Sequence, residues 1–127
     1  MLELEILGAA PLDEPQLRRL CALAAASAGV NDGHLAVEFV DERRITELNE
    51  RYRGRRGATD VLSFPVDGAE AVAGERELGD VVICVAQTAD VREAVVHGVL
   101  HLVGMDHETD DGEMLSKQRE LLALGRS

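Results

Sequence analysis

DVREAVVHGVLHLVGMDH, residues 90–107, is the stretch on which the fold turns. At about 100° per residue, Asp90, Glu93, His97 and His101 fall on one stripe of a helix. Val91, Ala94, Val95, Val96, Val99, Leu100, Leu102 and Val103 cover most of the remaining surface. A helix so apolar has to be buried, and burial carries its polar stripe inside with it. The periodicity predicts a helix over 90–103, ended by Gly104, whose left-handed conformation would turn the chain back. The rest of the domain must then supply enough strand and helix to wrap this segment.

Working outward, strands and helices alternate. LELEIL at 2–7 interleaves apolar and acidic residues, the pattern of a strand with one buried face. Asp13 with Pro15 just inside predicts a helix start, and apolar residues keep helical spacing over 14–27 until Gly29 stops them. LAVEFV at 35–40 reads as a second strand, and Asp41 as the cap of a helix through Ile45, Leu48 and Tyr52. VLSFPV at 61–66 and GDVVICVA at 79–86 read as the third and fourth strands, with DGAEAVAGEREL at 67–78 a loop between them. Pro65 has no N–H to give a ladder, which assigns the third strand to a sheet edge or a strand end. Thr109 is the expected cap of a last helix through Met114, Leu115, Leu121 and Leu122. The alternation predicts an α+β (mixed α/β) fold, with about four strands in a mixed sheet packed with helices around the histidine-bearing helix. With 127 residues, 46% of them apolar, and no internal repeat, residues 1–127 are expected to form a single domain.

Composition narrows the function. Thirteen basic residues against 24 acidic ones give a formal charge of −11, and so acidic a field repels polyanions. Nucleic acid would need a local basic patch, and one exists: Arg43, Arg44, Arg51, Arg53, Arg55 and Arg56 lie in one short stretch against only Glu47 and Glu50. The acids Asp106, Glu108, Asp110, Asp111 and Glu113 form the opposite cluster, read as solvated surface. With no Trp, one Tyr and two Phe, base stacking on aromatic platforms can contribute little. Cys21 and Cys84 are too far apart for a CxxC pair and too few for a cysteine zinc cage, so both are expected to be reduced, buried thiols. No apolar run reaches the roughly 18 to 20 residues of a membrane span, and MLELEILG has acids where a signal peptide carries bases. The expectation is a cytoplasmic protein with no membrane partner.

Three of the four histidines fall within residues 97–107. His97 and His101 stand at i and i+4, so both rings leave one helix face about a turn apart, where one ion can take a nitrogen from each at roughly 2.0–2.1 Å. A chain reversal at Gly104 would let His107 approach the same ion from outside the helix. Three imidazoles leave a coordination position for water, as catalytic zinc sites do. A lone histidine on such a face is usually an ordinary core residue; three at this spacing, on the only polar stripe of an apolar helix, point to a metal. Imidazoles suit zinc, nickel, copper and iron alike, so spacing does not choose among them. His34, beside Asp32 and Gly33, reads as a loop residue.

The histidine spacing resembles the HExxHxxGxxH motif of the metzincin proteases, with Gly98 where those enzymes carry a catalytic glutamate. HGVLHLVGMDHE (97–108), with NERYRGRRGATDVLSFP (49–65) and LGDVVICV (78–85) in the same order, more closely resembles the YbeY family of bacterial endoribonucleases. The resemblance covers about half the chain and implies a zincin-like fold around a buried metal-binding helix. It implies one Zn2+ per chain on His97, His101 and His107, with Arg53 a functional residue near the metal. It further implies a single-strand-specific endoribonuclease whose partners are single-stranded RNA, ribosomal RNA, and the small ribosomal subunit and its proteins, with no DNA substrate. The implied roles are 3′-end maturation of small-subunit ribosomal RNA and ribosome quality control. Ala58 stands where relatives often have Pro, Met105 where Tyr is usual, and the link from LGDVVIC to the histidine helix is short. Asp106 and Glu93 are possible acceptors for the histidine rings. Two rivals compete with this reading: a metal-dependent hydrolase of peptides or small substrates, and a non-catalytic ribosome-assembly factor whose metal staples the domain.

Overall fold

The computed structural model describes residues 2–65, 77–103 and 113–125. In β1 (Leu2–Leu7) the alternation acts as expected: Leu2, Leu4 and Ile6 turn to the core while Glu3 and Glu5 stay exposed. α1 (Glu14–Ser27) starts after Asp13 with Pro15 in its first turn and buries Leu17, Leu20, Cys21, Ala24 and Ala25. β2 (Gly33–Val40) leads into α2 (Glu42–Arg53), whose cap Asp41 accepts from the Arg44 backbone N–H at 2.8 Å. β3 (Val61–Pro65), β4 (Glu77–Cys84), α3 (Val91–Leu102) and α4 (Glu113–Gly125) follow.

The strands lie in the order β1-β2-β4-β3, with β1, β2 and β4 parallel and β3 antiparallel to β4. The sheet is therefore mixed and four-stranded, and β3, ending in Pro65, is an edge as the missing N–H requires. α1, α3 and α4 cover one face; on the other, Ile45 and Leu48 of α2 pack on Leu62, Val82 and Cys84. α3 is the centre, touching α1, α4, β3 and β4. Its Val95, Val96, Val99 and Leu100 are fully buried, each such side chain contributing about 1.5–3 kcal/mol.

Two glycines permit this packing. A Cβ on Gly98 would lie 2.5 Å from Val81 Cγ1 and 3.0 Å from Val61 Cγ2, so α3 rests directly on the sheet there. The Ser63 hydroxyl donates to the Gly98 carbonyl at 2.8 Å and locks the contact. Gly79 has φ +128° beside a bulge, where the register slips between His34/Glu77 and Leu35/Gly79, and a Cβ there would lie 2.2 Å from the Phe64 carbonyl oxygen. The glycine of LGDVVICV is thus a structural need of the β3–β4 pair.

Some expectations need correction. The fourth strand stops at Cys84, not 86: Thr88 donates from its hydroxyl to the Cys84 carbonyl at 2.6 Å and from its N–H to Val85, turning Val85–Gln87 into a single 3-10 turn. His34 is a strand residue, not a loop residue, because Gly33 and His34 pair with Leu2 and Glu3 of β1, and His34 also pairs with Glu77 of β4. Strand pairing outweighs the local turn signal of Asp32–Gly33. The buried helix begins after Asp90, which accepts from the Arg92 N–H at 3.0 Å, and ends at Leu102. Both cysteines are free and buried, and burial pushes the Cys21 thiol up to about 12. Gly104, Asp106, His107 and Thr109 lie outside the described residues. Among the described residues no helix is long and apolar enough to cross a membrane.

Candidate metal centre

The apolar flanks of α3 hold its backbone against the sheet and α1, which leaves the histidine stripe turned toward α4. His97 and His101 meet edge to face, ring centroids 4.7 Å apart at 73°, with their Nε2 atoms 3.2 Å from each other. Two nitrogens bound to one tetrahedral ion at 2.0–2.1 Å would be about 3.3–3.4 Å apart. The pair therefore already stands at the spacing of two zinc ligands. On the far side of the His97 ring, Nδ1 lies 2.9 Å from Oε1 of Gln118, a buried residue of α4. Among the described residues no cluster of three metal-ligating side chains occurs; the expected third ligand, His107, is outside them.

A cleft of about 190 Å³ opens beside His97, lined also by Asp60, Thr88, Asp90, Glu93 and Gln118. It forms where the entry to β3, the turn after β4 and the start of α3 converge. Asp60 is fixed there twice: its carboxylate accepts from the Val61 N–H at 2.9 Å, and its carbonyl accepts from Cys84 at 2.9 Å. Glu93, one turn before His97, is exposed in this cleft. A larger groove, about 420 Å³, lies on the opposite sheet face between α2 and residues such as Ala36, Glu38 and Asp80, away from the paired histidines.

Arg53 is the last residue of α2, exposed, and its side chain makes no hydrogen bond or ion pair among the described residues. It does not line the cleft at His97. The chain that follows it does reach the cleft: Asn49 donates from its buried amide to the Gly57 carbonyl at 2.9 Å, folding residues 54–57 back before Asp60. Arg43 and Arg44 are partly neutralised by Glu47 at 3.6 and 3.5 Å, whereas Arg53, Arg55 and Arg56 have no such partner among the described residues.

His34, which sequence reasoning set aside, has a built environment on the open sheet face. Its Nδ1 lies 3.0 Å from Glu77 and its Nε2 3.5 Å from Glu5. The hydrogen bond to Glu77, aided by the charges of Glu77, Glu5 and Glu3 and opposed by burial, raises its pKa above the ordinary value. Nearby Asp80 is also raised, first by burial and then by Glu77 and Glu5, with His34 working the other way. Gln118 was missed as well. Its signal was present: it follows Met114 by four residues and precedes Leu121 by three, a polar residue on an apolar stripe.

Residues 13–125 match the family model Endoribonuclease YbeY. The chain belongs to the YbeY family. Endoribonuclease YbeY of Pseudomonas putida is 42% identical to it over 97% of this chain and 88% of the relative. The YbeY of Aquifex aeolicus is 39% identical over 84% of this chain and 77% of the relative. A Thermotoga maritima protein solved in solution matches with a TM-score of 0.57 and 30% identity, covering 96% of this chain and 88% of the other. The mixed sheet beneath a buried histidine helix is consistent with the zincin-like fold of YbeY proteins.

Proposed function

We propose that this YbeY-family chain is a zinc-dependent, single-strand-specific endoribonuclease that matures the 3′ end of small-subunit ribosomal RNA and acts in ribosome quality control in the cytoplasm. The observation that carries the metal part is the 3.2 Å approach of the His97 and His101 Nε2 atoms. His97, His101 and His107 would hold one zinc ion, and the relatives named endoribonucleases supply the reaction class. When bound, zinc would polarise a phosphoryl oxygen and bring the pKa of water toward neutrality.

The remaining work falls to the chain's own side chains. Arg53, with Arg55 and Arg56 on the loop leading to Asp60, offers cations to the phosphates of an incoming strand and to the charge added during cleavage. Asp60, Asp90 and Glu93, all lining the cleft beside His97, offer carboxylates to accept a proton there. A metzincin-type peptidase is disfavoured by Gly98, which faces Val81 and Val61 across a gap too small for the glutamate that mechanism uses.

Purified chain loaded with Zn2+ should cut a labelled single-stranded RNA, leave a duplex and casein intact, and stop when EDTA is added. Intact RNA in the presence of one bound zinc per chain would overturn the proposal. Cleaved casein would favour the peptidase rival. Collapse of the fold on zinc removal would favour the structural-metal rival.

A further inference from the structure

We infer that Gln118 is a positioning residue that holds His97 in the tautomer able to bind metal, an inference that rests on the zinc reading above. The Gln118 oxygen at 2.9 Å from His97 Nδ1 can only accept, so Nδ1 must carry the proton. A neutral imidazole has one N–H, and with that proton on Nδ1 the lone pair sits on Nε2. Nε2 is the atom that points toward Nε2 of His101 at 3.2 Å. A histidine in water favours the opposite tautomer, with the proton on Nε2, in which this ring could not ligate through the atom that faces its neighbour.

The contact is built into the packing. Gln118 is 5% exposed and, with Asn49, one of two buried polar side chains among the described residues. A buried amide left without a partner loses its hydration with nothing in return, so the bond to His97 is retained. Leu121, three residues further along α4, is 4% exposed and belongs to the main core with residues of α1 and α3. Docking of Leu121 therefore aims Gln118 at the histidine. The last helix acts on the metal through an oxygen that need never touch it, as outer-shell acceptors do for zinc-bound histidines.

The test uses the full chain as wild type, Gln118→Leu and Gln118→Glu. Long-range nitrogen–proton spectra of zinc-free protein show which His97 nitrogen is protonated, and competition with a chromophoric chelator gives the Zn2+ affinity. Wild type should be protonated on Nδ1. Gln118→Leu should move the proton to Nε2 and weaken zinc binding about 10- to 100-fold. Gln118→Glu, which keeps an acceptor, should hold the Nδ1 proton and bind zinc within a few-fold of wild type. Wild-type affinity in a zinc-loaded Gln118→Leu, or wild-type His97 protonated on Nε2, would overturn the inference. Should Gln118→Leu not fold, the wild-type tautomer and the Gln118→Glu affinity still decide it. A wild-type chain that takes up no zinc would instead overturn the metal reading, while the tautomer spectrum would still report on the Gln118 contact.

Discussion

On the open face of the sheet, His34 has the carboxylates of Glu77 at 3.0 Å and Glu5 at 3.5 Å as neighbours, and its pKa is raised. On the covered side, His97 has an amide oxygen at one ring nitrogen and a second imidazole 3.2 Å from the other. The side chain is the same; the partners differ in charge. Carboxylates favour a protonated ring, and once protonated His34 is a cation that joins β1 and β4 across β2. An amide accepts one proton and favours no charge, which would suit the metal-binding role proposed for His97. The two rings thus differ in that His34 meets carboxylates, whereas Nδ1 of His97 meets an amide dipole.

The largest way to break the comparison is at the half-buried pair His97 and His101. His101→Ala should reduce zinc uptake and RNA cleavage to background, measured by elemental analysis and a gel assay, while His34→Ala should leave both near wild type. Next comes Arg53→Ala, expected to lower RNA cleavage about 100-fold with zinc still bound, because it removes a cation that would steady developing charge. Unchanged cleavage by that variant would remove Arg53 from the mechanism. Gly98→Ala tests the seat of the histidine helix: its methyl would press on Val81 and Val61, and denaturant melts should show a loss of about 1–3 kcal/mol.

The smallest effect concerns His34. A pKa raised in the folded state means that folding favours the protonated ring, so the stabilisation is full below the ordinary histidine value of 6.5 and fades as pH climbs through the raised one. Melts of wild type and His34→Ala across that window should converge as pH rises, the low-pH gap being at most about 1 kcal/mol for so exposed an ion pair. Glu77→Gln, which gives His34 an amide in place of a carboxylate, should remove most of the gap. A gap that widens with pH would refute the assignment.

Much of this was legible in the residues. LELEIL alternates because one sheet face is buried and the other wet, and that period survives into β1 unchanged. The stripe of α3 was equally clear, since seven buried residues on a twelve-residue helix leave few places for polar groups. His34 was not legible. Asp32 and Gly33 carry a local turn signal, and only pairing with strands that come earlier and much later in the chain brings Glu5 and Glu77 to the ring. Gln118 was half legible: its stripe marks it as buried, but its partner lies 21 residues away on another helix.

Local periodicity thus determined the element types, the buried helix and the shared face of His97 and His101, because these depend on side-chain spacing along one element. Tertiary packing decided the partners: which acid meets His34, which amide meets His97, and that Gly98 faces the sheet. Contacts between elements depend on register and docking, which no stretch of sequence specifies by itself.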